Sequence, residues 1–258
     1  MAKFTTVGFD DVQPSTTYQA SREATGVVVS RCLSPEGYSL WLCDSELADG
    51  GSIRWDDAHG DDGVYVLEGE LEVDGRRCPR DGALVVESGV TATARAIGPT
   101  RIAHFGCAED EPPADGLFGA PSPTGHGVHV FGPRGRFLSG KLEGVHAVWY
   151  ADSTCDTCRA QLLKVTSHQS DRNTAHHHSQ DEIIYVVAGT MRLGAYELGA
   201  CTALSIPANA RYAPKAGADG HVFLNFRRDV SVQVYARSEP ALLETALSRG
   251  GEATDDVR

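Results

Sequence analysis

His176-His177-His178-Ser179-Gln180-Asp181-Glu182-Ile183-Ile184-Tyr185-Val186-Val187-Ala188-Gly189 is the stretch whose reading decides the fold. Side chains alternate across a strand, so His176 and His178 share a face and His177 takes the other. Glu182 follows four residues after His178. Two imidazoles and a carboxylate converging from one strand and the turn after it are suitable ligands for a divalent first-row metal. The run Ile183–Gly189 is too short and too β-branched for a helix and reads as a buried strand leading out of that site.

The same pattern occurs earlier in the chain. GVYVLEGELEVDG, starting at Gly63, lines up with IIYVVAGTMRLGA, starting at Ile183. Tyr65 falls on Tyr185, Gly69 on Gly189 and Asp62 on Glu182. The offset holds for about twenty residues, after which one gap places Gly82 on Cys201 and Ser88 on Pro207; so long a period means a duplicated domain, not a solenoid. The surrounding β-rich runs are short and broken by 28 glycines and 12 prolines, the pattern of an all-β barrel or sandwich. Asp74-Gly75 is a hairpin signal.

Residues 1 to about 25 read as a polar arm with little regular structure, so residues 1–107 form a first unit. Residues 108–145 form a connection rich in Pro, Gly and acid at its start, with strand-like material resuming at Gly127–Phe131. Residues 146–237 form a second unit. Residues 238–258 supply a short amphipathic helix, Glu239–Ser248, and an unstructured tail.

The chain has 258 residues, 41% hydrophobic and 22% charged, an ordinary globular balance. Its net charge of −12 argues against a nucleic-acid surface or an anionic membrane as partner. No apolar segment is long enough to span a bilayer and the first residues lack a signal-peptide core, so the expected location is cytoplasmic. Seven irregularly spaced cysteines read as free thiols.

On these residues the chain resembles the cupin family, specifically its two-domain members. The family's first motif places a His, a His two residues on, a Glu and then a Gly; His176, His178, Glu182 and Gly189 match it throughout. Its second motif runs Gly, Pro, Gly, His; here Cys201, Pro207, Asn209 and Tyr212 stand at those positions. The resemblance implies an all-β chain of two jelly-roll barrels, a metal inside one of them, and homodimerisation. The family's ligand set is three His and one Glu. Here it implies His176, His178 and Glu182 as ligands, with Tyr212 where the third His would stand. Three arrangements stay open: two His and a carboxylate with open positions, Tyr212 as a ligand or water-orienting group, or a pocket for an organic molecule instead of a metal. In the first barrel Asp62, Ala58 and Asp56 fall at the ligand positions, and His59 is out of register. That barrel reads as structural and metal-free.

The leading expectation is a mononuclear metal enzyme of dioxygenase type acting on a small organic substrate in the second barrel. It would hold one divalent transition metal per chain, Fe(II) favoured over Mn, Ni, Zn or Cu, with Tyr212 as catalytic proton or hydrogen-bond donor. The alternatives are a non-redox isomerase, decarboxylase or lyase, and a module that binds a small ligand without turnover. Cys155-x-x-Cys158 supplies two soft ligands where a structural zinc needs four, so it reads as two thiols in a strand-entry loop, with a reversible disulfide or a shared metal contact as the alternatives. Cys201 reads as a packing residue, and His126, His129, His168 and His221 as loop or strand-end residues. Asn225, Arg227 and Gln233 are candidate cavity residues whose orientation parity alone does not decide, and Arg211, beside Tyr212, is a candidate to hold a substrate carboxylate, with a surface position as the default.

Overall fold

The computed structural model describes residues 4–20, 22–108, 126–142, 144–152, 155, 157–168, 175–229, 231–235, 242–243 and 252–253. The chain forms β1 (Thr5–Gly8), β2 (Glu23–Cys32), β3 (Leu40–Trp55), β4 (Asp62–Glu68), β5 (Glu70–Val73), β6 (Arg76–Pro79), β7 (Ala83–Val86), β8 (Ala92–Ala96), β9 (Thr100–Cys107) and β10 (Val128–Phe131). It continues with β11 (Phe137–Leu142), β12 (Val145–Ala151), β13 (Gln161–Ser167), β14 (His176–His178), β15 (Glu182–Leu193), β16 (Tyr196–Leu198), β17 (Thr202–Ile206), β18 (Lys215–Arg227), β19 (Val232–Tyr235), β20 (Leu242–Leu243) and β21 (Glu252–Ala253).

One nine-stranded sheet runs β10–β7–β4–β9–β3–β8–β5–β6, with β2 on β3. The other runs β1–β17–β15–β18–β13–β12–β11–β21, with β16 on β15. β14, β19 and β20 make a third sheet of three strands. The architecture is all-β and jelly-roll, as expected.

Val64 pairs with Leu84 and Ile184 with Leu204, so an offset of 120 residues survives into the following strand. The expected gap is therefore misplaced. Asp81 is the counterpart of Cys201, and Gly89 that of Asn209. All four have left-handed backbones, with φ of 65° and 61° in the first pair and 75° and 63° in the second. These turns demand left-handed geometry, which glycine meets freely and Asp, Cys and Asn meet at a cost. Gly82 stands beside the left-handed position, which Asp81 holds, so the presence of a glycine does not mark the counterpart of Cys201. The one-residue shift falls later: Val64 faces His104, whereas Ile184 faces Asn225.

Strand parity separates three cores. On β4, Val64 and Val66 pack inside the first barrel; on β15, Ile184 and Val186 pack inside the second. The intervening Tyr65, Ile183 and Tyr185 join Leu42, Phe105, Leu162 and Phe226 in a core shared by both halves. The strands are apolar on both faces because each barrel covers part of the other. Asp62 and Glu182 have the parity of the barrel interiors.

Three expectations change. The N-terminal arm is not structureless: β1 pairs with β17 of the second sheet, Thr5 opposite Ser205. β10, from within the expected connection, pairs with β7 in the equivalent way, His129 opposite Val85. Each sheet thus gains an edge strand from outside its own repeat, satisfying backbone groups that would otherwise be exposed. Leu242–Leu243, within the expected terminal helix, pairs as a strand with β19, and Glu252–Ala253 in the expected tail pairs with β11. The two-residue strands gain ladder bonds that a short isolated helix would lack. The rest of that helix, and residues 109–125 of the connection, lie outside the described residues.

Candidate functional site

The expected site residues come together at one end of the second barrel. His176 and Tyr212 form a two-way backbone bridge, each N–H donating to the other's carbonyl at 2.9 Å. The Asn209 N–H donates to the carbonyl of His178 at 2.7 Å. These bonds set the His176 ring 4.6 Å from that of Tyr212 and 5.1 Å from that of His178, centroid to centroid. The turn into β15 is anchored by the other half of the molecule. Asp181 accepts from the Ala208 N–H at 2.7 Å and from the Ser39 hydroxyl, and the Tyr38 hydroxyl donates to the Ile206 carbonyl at 2.7 Å. Asp61 repeats this in the first barrel, accepting from the Ser88 N–H at 2.8 Å and the Arg159 N–H at 2.6 Å.

A guanidinium stands between the expected ligands. Arg227, last residue of β18, donates to Glu182 Oε2 from Nε at 3.2 Å and from Nη2 at 2.9 Å. The same Nη2 lies 3.1 Å from His178 Nε2. Arginine can only donate, so this contact makes the His178 nitrogen an acceptor. Asn225 Nδ2 donates to Glu182 Oε2 at 2.7 Å, and Arg227 Nη1 reaches Gln161 Oε1 at 3.3 Å. Burial opposes the charge on Glu182, but His178, Arg227, Tyr212 and Asn225 together outweigh it and hold the carboxyl below its ordinary value. Glu182 Oε1 and Asn225 Oδ1 are buried with no hydrogen-bond partner. Buried polar atoms are almost always paired, so two adjacent orphans mark the site as built for something more.

The first barrel holds a related constellation that is complete. Asp62 Oδ2 accepts from Arg22 Nε at 2.8 Å, Trp55 Nε1 at 2.7 Å and His104 Nε2 at 3.0 Å, and Oδ1 accepts from Arg22 Nη2 at 3.1 Å. The Tyr18 hydroxyl closes the network on His104 Nδ1. His59 is buried as well, with its ring nitrogens on the carbonyls of Gly60 and Val90. Ala20, Arg22, Glu23, Arg54 and Asp56 line a cleft beside this barrel.

Among the remaining candidates, Cys201 Sγ sits 3.4 Å from Arg101 Nη2, which is itself paired with Asp44. Burial lowers His221 to about 4, and its Nδ1 has no hydrogen-bond partner. Arg211 is exposed, whereas Gln233 is buried. Arg227 is the residue that sequence reading undervalued; it shares a face with Asn225 on β18, but its pairing with Glu182 and His178 joins segments far apart in the chain. The other unexpected group is Glu87, His129, Cys155 and Cys158, whose ligand atoms all lie within 4.8 Å of one another. Among the described residues this group alone meets that condition, and the expected His176, His178 and Glu182 do not form one.

Fold and site together define a jelly roll with a buried polar centre. Solved structures of oxalate decarboxylase from Bacillus subtilis share this fold. A single-site variant of that enzyme superposes with a TM-score of 0.66 at 14% identity, covering 92% of this chain and 80% of that one. The enzyme at pH 4.6 gives 0.65 and 14%, covering 92% and 79%. A third structure, with the same values as the first, belongs to work on its Mn(II) centres. At this identity the likeness establishes the fold alone. No family model and no curated protein matches the chain.

The fold neighbours raise the question of a metal here. His176, His178 and Glu182 do not fit one as arranged. The Glu182 and His178 atoms facing the buried Arg227 guanidinium are already engaged by it. Nothing in this site favours Fe(II). The group at Glu87 has the donor chemistry for a metal; the second barrel offers a cation of its own.

Proposed function

We propose that the chain is an enzyme of the cupin kind whose second barrel carries out non-redox chemistry on a small hydroxylated organic acid. The reaction is of the decarboxylase, lyase or isomerase class, and the first barrel, degenerate as a site, serves as scaffold. The observation that carries this reading is the unequal satisfaction of the two carboxylates. Every hydrogen-bonding position of Asp62 used by its neighbours is filled on both oxygens, whereas Glu182 is saturated on Oε2 and open on Oε1. A substrate hydroxyl can donate to Glu182 Oε1 or Asn225 Oδ1, and nearby Arg227 offsets the substrate's negative charge.

The low proton affinity of Glu182 suits it to hold a donor group, not to abstract a proton from carbon. Tyr212, beside His176 and Glu182, is the group assigned to deliver or accept the proton. If a carboxylate leaves as CO2, its bonding electron pair remains on the adjacent carbon and needs a conjugated carbonyl to receive it, so the preferred substrates are acids that carry one. The neighbouring oxalate decarboxylases act on a small acid, which agrees with the decarboxylase class.

The test is anaerobic turnover of a panel of small hydroxy and oxo acids, followed by product analysis. Turnover without O2 is expected, with Tyr212→Phe lowering kcat about 100-fold or more and Arg227→Lys mainly raising KM. Activity that requires Fe(II) and O2 would overturn the proposal. Retention of a ligand with no turnover would replace catalysis by binding.

A further inference from the structure

Cys155 and Cys158 lack two ligands in sequence, and the fold supplies both. Glu87 follows β7, His129 lies on β10, and the two cysteines lie in the connection between β12 and β13. Glu87 is fully buried, and Cys155 and Cys158 are buried too. Cys155 Sγ stands 3.6 Å from Glu87 Oε1 and 3.8 Å from His129 Nε2. The edges of a tetrahedron with ordinary Zn–S, Zn–N and Zn–O bonds are about 3.3–3.8 Å, so these separations already suit a shared ion. His129 Nε2 and Glu87 Oε1, at 2.5 Å, are closer than that and hold a hydrogen bond. The His129 side chain is 32% exposed, which leaves it room to swing outward and open the edge.

Supporting contacts surround the carboxylate. Glu87 Oε2 accepts from the Gly127 N–H at 2.8 Å and lies 3.3 Å from His126 Nδ1, and the Thr157 hydroxyl donates to Oε1. Such outer contacts orient metal ligands. The internal repeat provides a control. At the 120-residue offset, Cys155, Cys158 and Glu87 correspond to Pro35, Tyr38 and Pro207, and strand register makes Thr5 the counterpart of His129. The other half of the molecule has the same backbone frame and none of the four ligands, so the fold alone does not require this chemistry.

We propose that Glu87, His129, Cys155 and Cys158 bind one Zn(II) in a closed tetrahedral site that ties the first sheet to the loop entering β13. Two thiolates, an imidazole and a carboxylate suit zinc, and four protein ligands leave no position for substrate, so the role is structural. Binding releases the thiol protons and the proton held between His129 and Glu87 to solvent, with no change in oxidation state.

The test uses the full chain, loaded with Zn(II) and then dialysed against a competing chelator. One zinc per chain is expected to survive. Cys158→Ser should abolish retention, and His129→Gln, at a partly exposed position, should keep the fold and weaken affinity at least about tenfold. His178→Ala should retain the full complement. Co(II) in place of zinc should show the absorption of a tetrahedral thiolate complex. A folded wild-type chain that gives up all its zinc, or a Cys155–Cys158 disulfide in the freshly purified protein, would overturn the proposal.

Discussion

Asp62 and Glu182 show how one position in a duplicated frame acquires two characters. Both carboxylates are buried, both face an arginine, and both are held below the ordinary carboxylate range. Burial opposes the charge in each case, and is outweighed at Asp62 by His104 and Arg22, and at Glu182 by His178 and Arg227. A depressed carboxyl contributes stability that is fully present above its unfolded value and is lost as pH falls through its folded value. His104, held low by burial, adds in the same direction, because its unfolded form takes up a proton first. Denaturation midpoints measured from pH 7 downward should therefore fall, most steeply below about pH 4, and less steeply in Asp62→Asn than in wild type. A midpoint that rises on acidification would contradict this assignment. The carboxylates were legible in the sequence as paired motif positions. Their arginine partners were not, because Arg22 comes from a segment before the barrel and Arg227 from the last long strand, at distances no local pattern encodes.

The glycine that closes each first motif is an element-scale constraint. Gly69 and Gly189 have φ of 78° and 71°. A Cβ on Gly189 would meet the Gly220 carbonyl oxygen at 2.2 Å, and one on Gly69 the Pro99 carbonyl oxygen at 2.5 Å. Both contacts are with backbone, which cannot rotate away. Gly189→Ala should destabilise the chain by at least about 1–3 kcal/mol, read as a lower denaturant midpoint, whereas Gly194→Ala, where a Cβ would meet nothing within 4 Å, should cost less. Equal losses would show that backbone geometry alone, and not the close approach, sets the requirement. Strand identity and the Gly69–Gly189 match were readable because they are local. The edge strand β1 was not, and β10 was readable as a strand but not by its place in the sheet, since their partners lie roughly 200 and 40 residues away along the chain.

At the scale of the whole molecule, two barrels share a core through the faces of β4 and β15 that point away from their interiors. The duplication predicted this arrangement in outline. It did not show that the junction also gathers Glu87, His129, Cys155 and Cys158, because Glu87 comes from the first unit, His129 from the connection and the cysteines from the second unit. The soft ligands thus sit between the barrels, while the barrel expected to hold a metal is organised around the guanidinium of Arg227. Elemental analysis of the wild type and a His176→Ala/His178→Ala double variant, purified side by side without added metal, tests this division most directly. Equal metal content is the expected result; loss of metal on removing the two histidines would contradict it.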